Sequence, residues 1–147
     1  MFTEELRAEI EIDPTPERVW EALTEFDAFP AWNPFITSIE GELALGAKLK
    51  ARLEPPGGKG FTMKPTVTAF EPGRSFGWLG NLIVPGVFDG AHRFDLEPIA
   101  GGRTRLVQSE HFRGVVVPLF RRSLRAHTLR GFEEMNHALE ARAQAAA

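Results

Sequence analysis

The stretch VPLFRRSLRAHTLRGFEEMNHALEARA, residues 117–143, decides how the rest of the chain is read. Pro118 lies where a helix tolerates proline, in the first turn, and after it only Gly131 weakens a helix. Advancing about 100° per residue from Phe120 gathers Leu124, His127, Thr128, Gly131, Phe132, Met135, Ala138 and Leu139 on one side. Arg122, Arg125, Arg130, Glu133 and Glu140 fall mostly on the other. This predicts an amphipathic helix of roughly seven turns, against a usual length of about three. So long an apolar stripe needs a broad apolar partner.

Working outward, the preceding residues supply that partner. Phe2, Leu6, Ala8, Ile10 and Ile12 alternate along a first strand, with Glu4 on the same face. Asp13-Pro14-Thr15-Pro16-Glu17 ends it and opens a helix, with Thr15 as N-cap and Pro16 at the first helical position. Val19, Trp20 and Leu23 give that helix its apolar side; Phe26 to Trp32 forms a second short helical turn, stopped at Asn33-Pro34. The period then changes to two. Phe35–Gly41, Lys48–Leu53, Phe61–Phe70, Arg74–Leu82, Val87–Pro98 and Arg103–Gly114 read as strands, separated by Gly- and Pro-rich turns. The predicted architecture is α+β: one domain over residues 1–147, with about seven antiparallel strands in a curved sheet around the long C-terminal helix, and two short helices between strands 1 and 2. The Ala-rich end is expected to fray from about residue 143.

Composition narrows the function classes. The chain has 147 residues, 43% hydrophobic and 25% charged, with a formal net charge of −3, which gives no reason to expect a nucleic acid partner. With no cysteine, disulfides, thiolate chemistry and cysteine-ligated metals are excluded. No apolar run of about eighteen residues occurs and the N-terminus lacks a signal-peptide pattern, so a cytoplasmic location without stable membrane insertion is the default expectation. The twelve phenylalanines and three tryptophans suit a core or the wall of an apolar cavity equally well. A monomer or homodimer is expected.

Several local sequences are familiar together: Pro16-Glu17-Arg18-Val19-Trp20, Phe29-Pro30-Ala31-Trp32-Asn33-Pro34-Phe35, Gly101-Gly102-Arg103-Thr104-Arg105-Leu106 and Glu110-His111-Phe112-Arg113-Gly114. With the element order, they make the whole chain resemble the helix-grip fold of the SRPBCC superfamily, which includes START-type lipid-transfer domains, pollen-allergen-like proteins and polyketide cyclases. The chain is most similar to bacterial single-domain members of polyketide cyclase or dehydrase type. That resemblance implies a cavity between sheet and helix. It leaves function open, because such folds serve both enzymes and carriers.

The last hairpin holds the first candidate site. A turn near Gly101 sets Leu96 opposite Leu106, Phe94 opposite Gln108, His92 opposite Glu110 and Gly90 opposite Phe112, all on one face. The apolar members make that face the concave one. His92 and Glu110 would therefore meet inside the grip, as an acid–base pair, as polar anchors for a ligand, or as a self-satisfied buried pair. Trp32, Asn33 and Phe35 form a second candidate: Asn33 either caps the preceding helix end or faces the cavity mouth, and Trp32 is either core or wall. Trp78, Phe94, Gln108, Phe112, Phe120, Leu124, His127, Gly131 and Met135 complete the candidate ligand lining. His92, His111, His127 and His137 lack ligand spacing, so neither a metal nor another cofactor is expected. Pro55-Pro56-Gly57-Gly58-Lys59-Gly60 reads as a hairpin loop that can serve as a lip over the cavity. Arg121, Arg122 and Arg125 crowd the start of the long helix against its dipole, either as a solvated face with acid partners elsewhere or as an attractor for an anionic partner.

Two main functions follow. One is a carrier of a hydrophobic small molecule, with His92, Glu110 and Asn33 at its polar end. The other, implied by the resemblance, is a cofactor-independent cyclase or dehydrase in which His92 and Glu110 move protons. An interaction role of the kind seen in chaperone-activating relatives is a third.

Overall fold

The fold, seen in a computed structural model that describes residues 2–145, follows from where each periodic segment can hide its apolar side. Strand β1 (Phe2–Ile12) buries Leu6, Ala8 and Ile12 and leaves Phe2 at the rim. Helix α1 (Pro16–Thr24) starts as its sequence dictates: Thr15 Oγ1 accepts the Arg18 N–H at 3.3 Å, with Pro16 in the first turn. Val19, Ala22 and Leu23 are its buried side. A 3₁₀ turn (Phe26–Ala28) and the single-turn α2 (Phe29–Trp32) follow.

Seven further strands come next: β2 (Ile36–Glu40), β3 (Lys50–Leu53), β4 (Phe61–Met63), β5 (Thr66–Glu71), β6 (Ser75–Asn81), β7 (Asp89–Ile99) and β8 (Arg103–Gly114). The sequence predicts one long strand over 61–70 within a single sheet; the chain instead breaks at Lys64-Pro65, giving eight strands in two sheets. One is five-stranded, ordered β1-β8-β7-β6-β5; the other is β2-β3-β4. Proline has no N–H to continue a ladder. The Pro65 carbonyl still accepts the Leu49 N–H at 2.9 Å, and Val67 N–H reaches Ala47 O at 2.8 Å, so the small sheet is hinged onto the large one there. This corner supplies the curvature that a single flat sheet would lack.

The chain is helical from Val117 onward in three continuous pieces: α3 (Val117–Ser123), a π-helical segment (Leu124–Thr128) and α4 (Leu129–Ala145). Within the π segment Leu129 N–H reaches back five residues to Leu124 O, inserting one extra residue into the turn. Everything after it is rotated by roughly the 100° of one residue. The buried positions of α4 are accordingly Gly131, Phe132, Met135, Asn136, Leu139 and Ala143, and Ala138 drops to the half-buried flank. Helix α4 continues through Ala143, which is buried, to Ala145; residues 146 and 147 of the Ala-rich end, expected to fray from about residue 143, lie outside the described residues.

Two of the three crowded arginines find an acid partner. Glu4, on the inward face of β1, lies 2.9 Å from Arg125 and 3.7 Å from Arg121, and Arg121 also donates to Thr3 O. No helix among the described residues is long and apolar enough to cross a membrane.

Candidate functional site

The site begins at the hairpin turn Ala100–Gly102, where Gly101 and Gly102 both take positive φ (80° and 74°), a conformation that side-chain-bearing residues avoid. That turn sets the register of β7 and β8: Leu96 pairs Leu106, Phe94 pairs Gln108, His92 pairs Glu110 and Gly90 pairs Phe112. These residues face the helix, and Arg93 and Glu97 face water. One more pair matters. Gly80 on β6 lies opposite Gly90 on β7, so two neighbouring inward positions carry no side chain. The Met63 side chain enters the space at Gly80, and the Glu110 carboxyl enters that at Gly90, so closely that an added Cβ would collide with Oε2.

Here the two sheets and the helix leave a cavity of about 220 Å³. Its walls are Phe35, Leu53, Phe61, Met63, Leu82, Phe88, Phe112, Phe120 and Leu124, with Glu110 the only carboxylate there among the described residues. The loop 55–60 forms the lip, Pro55, Gly58 and Lys59 reaching the cavity, and His127 donates Nδ1–H to Pro56 O at 3.0 Å. Ser123, Thr128 and His127 bring further polar atoms to the helix side.

Behind Glu110 runs a buried chain of polar side chains. Glu110 Oε1 is 2.8 Å from His92 Nδ1, and His92 Nε2 is 3.0 Å from Gln108 Oε1. Gln108 Nε2 donates to Asn136 Oδ1 (2.8 Å) and Phe132 O (3.3 Å), and Asn136 Nδ2 donates to Ala8 O (3.3 Å). Trp78 stacks on the His92 ring at 5.4 Å and 23°, and Phe132 meets it edge-on at 4.9 Å. Buried polar groups need partners, and this chain supplies them from strand to helix.

Of the predicted site residues, the structure brings Phe35, Glu110, Phe112, Phe120, Leu124 and His127 to the cavity. His92 stands one layer back: its side chain is 1% exposed against 11% for Glu110, and it does not line the cavity. Gln108 belongs to the same rear network, and Trp78, Phe94 and Met135 are core. Trp32 packs on Phe29 at 5.2 Å, also away from the cavity. Asn33 closes α2 through its backbone N–H, 2.8 Å from Phe29 O, but its side chain does neither of the two things expected of it. Its Oδ1 accepts the N–H groups of Phe35 (3.0 Å) and Ile36 (2.9 Å), holding the turn into β2 instead of capping the helix behind it. Gly131 makes room for Phe35 and does not itself reach the cavity.

The sequence reading missed Asn136, the Gly80–Gly90 gap and the wall residues of β3 and β4. The adjacent glycines had a signal, since glycine inside a strand marks close approach. Asn136 had none, because the extra residue that turns it inward is a property of the folded helix. Among the described residues no group of three His, Asp or Glu side chains is arranged to hold a metal ion.

Comparison with known proteins agrees with this geometry. No curated protein matches the sequence. Among solved structures, a START superfamily protein from Mycobacterium smegmatis superposes with a TM-score of 0.73 at 19% identity, covering 97% of this chain and 99% of that one. The Zhui aromatase/cyclase from Streptomyces sp. R1128 gives 0.78 at 16% identity, with 97% and 94% covered. Protein MLL2253 from Mesorhizobium loti gives 0.71 at 23% identity, with 94% and 95% covered. At such identities the likeness is one of fold. The sequence itself matches a family over residues 3–144, and the chain thus belongs to the family described as polyketide cyclase / dehydrase and lipid transport.

Proposed function

We propose that this protein binds and carries a small, mostly apolar molecule between the curved sheets and the C-terminal helix, with Glu110 holding its polar end. The cavity wall carries this reading. Its 220 Å³ exceeds the roughly 150 Å³ of an engineered cavity that takes benzene and falls short of the roughly 300 Å³ at which drug-sized sites begin. That suits a molecule of one or two rings or a short chain. Burial of such a molecule is favourable by about 25 cal/mol per Å² of apolar surface, before the cost of immobilising it. Extraction of the purified protein, followed by mass spectrometry, tests the reading. A stoichiometric apolar compound is expected from the parent and not from Leu124→Trp, whose larger side chain fills the cavity. Absence of any such compound, together with failure to bind added apolar probes, removes the reading.

A second reading, proton transfer during ring closure or loss of water, is favoured by the Glu110 carboxyl, which reaches the cavity with Oε2 uncommitted. It asks Glu110 to act at the substrate, with His92 orienting it from behind and His127 engaged at Pro56 O. The carrier reading is preferred because no second acid–base group of the rear network reaches the cavity. Turnover by the parent that falls roughly a hundredfold or more in Glu110→Gln, with binding retained, would reverse that preference.

A further inference from the structure

The hydrogen-bond chain behind Glu110 has a fixed direction, and that direction constrains the ligand. Its far end rests on two backbone carbonyls, Ala8 O and Phe132 O, which only accept. Asn136 must therefore turn its NH₂ toward Ala8, leaving Oδ1 for Gln108. Gln108 must turn its NH₂ toward Asn136 and Phe132, leaving Oε1 for His92. Neither amide can flip without setting acceptor against acceptor. His92 Nε2 consequently carries a hydrogen. At the other ring nitrogen, Nδ1 and Glu110 Oε1 lie 2.8 Å apart, too close for two bare lone pairs, so one proton lies between them. Whether it resides on nitrogen or oxygen, the pair has no net charge, and Glu110 Oε2, lying over Gly90 in the cavity wall, is an acceptor that no described residue hydrogen-bonds.

We infer that the ligand is an electrically neutral molecule with a hydroxyl group, whose O–H donates to Glu110 Oε2 while its apolar body fills the cavity. This rests on the binding reading above and names its ligand class. A cation would leave its own charge unpaired against a neutral pair within apolar walls, and an anion would set its oxygens against Oε2. An uncharged hydroxyl satisfies Oε2 at no such cost. Asn136 and Gln108 are positioning residues: they touch no ligand but dictate which atom of His92 holds a proton.

Four probes with one apolar body test this: naphthalene, 2-naphthol, 2-naphthoate and 2-naphthylmethylammonium, titrated into the parent, Glu110→Gln and Glu110→Leu. In the parent, 2-naphthol should bind roughly tenfold more tightly than naphthalene, the usual gain from one hydrogen bond to a buried acceptor. Both charged probes should bind more weakly than naphthalene. In Glu110→Gln the amide NH₂ must turn to the unprotonated His92 Nδ1, which presents the carbonyl to the cavity, so the hydroxyl preference should survive. In Glu110→Leu it should vanish while naphthalene still binds. Tightest binding of the ammonium probe, loss of the hydroxyl preference in Glu110→Gln, or no preference in the parent each overturns the inference and leaves the carrier reading standing. If none of the four probes binds, the carrier reading falls and takes this inference with it.

Discussion

The Phe35 ring lies directly over Gly131, so that a Cβ added there would stand 2.7 Å from Phe35 Cε1. Phe35 is buried, meets Phe132 edge-on at 5.6 Å and forms part of the cavity wall, so an added Cβ must press its ring against Phe132 or into the cavity. A mid-helix glycine costs about 1 kcal/mol against alanine, and overpacking a core costs about 1–3 kcal/mol. Gly131→Ala should therefore lower stability slightly in the parent, and do so less, or even raise it, in a Phe35→Leu background. A thermal melt in which Gly131→Ala stabilises the parent would break this account.

Met135 is fully buried on the same helix face. Met135→Asp places a carboxylate at a fully buried position of the apolar core, a change expected to cost several kcal/mol. Urea denaturation checks it. A midpoint equal to the parent's would mean that α4 packs by another face.

Asn136 and Gln108 act as a unit joining α4 to β1 and β8. Asn136→Leu should cost about 1–3 kcal/mol, because Gln108 Nε2 loses its shorter partner while remaining buried. A double-mutant cycle with Gln108→Met should give a coupling of at least about 0.5 kcal/mol. Strict additivity would show that the two side chains do not depend on each other.

The ion pairs of Glu4 with Arg121 and Arg125 lie near the surface, the arginine side chains being 44% and 58% exposed. Glu4→Gln should therefore cost no more than about 1 kcal/mol at low salt, and the difference should shrink as salt screens the pairs. Melting temperatures of both proteins at low and high salt decide this. A loss that persists undiminished at high salt would point to packing of the Glu4 stem.

His127 fastens the loop 55–60 to the helix through Pro56 O. His127→Ala should speed both entry and exit of 2-naphthol, with little change in affinity, since the latch restrains the lip and the apolar walls do the holding. Stopped-flow fluorescence separates the two rates. Unchanged rates in both directions would mean that the loop does not gate the cavity.

Much of this protein can be read from its sequence because local rules and burial agree. Thr15-Pro16 opens α1 in the sequence as in the fold, and the Gly101-Gly102 turn sets a hairpin register that carries His92 opposite Glu110. Period-two alternation then makes that face the buried one. These are properties of neighbours in the chain, and a strand's side chains can go only one way or the other.

The tertiary structure decided what depends on closing the two sheets over the helix. The break at Lys64-Pro65 turns one predicted strand into the corner between two sheets. The extra residue in Leu124–Thr128, a segment with neither proline nor glycine, rotates α4 and carries Asn136 into the core. Asn33 holds the turn after it because that turn brings Phe35 and Ile36 N–H groups to its oxygen. Which of two paired side chains reaches the cavity was likewise a tertiary matter. Alternation places His92 and Glu110 on one face, but only the gap at Gly90 lets the carboxyl reach the cavity while Trp78 and Phe132 hold the imidazole behind it. Sequence periodicity specifies the direction of a side chain; the distance it can extend is set by what packs against it from elements far away in the chain.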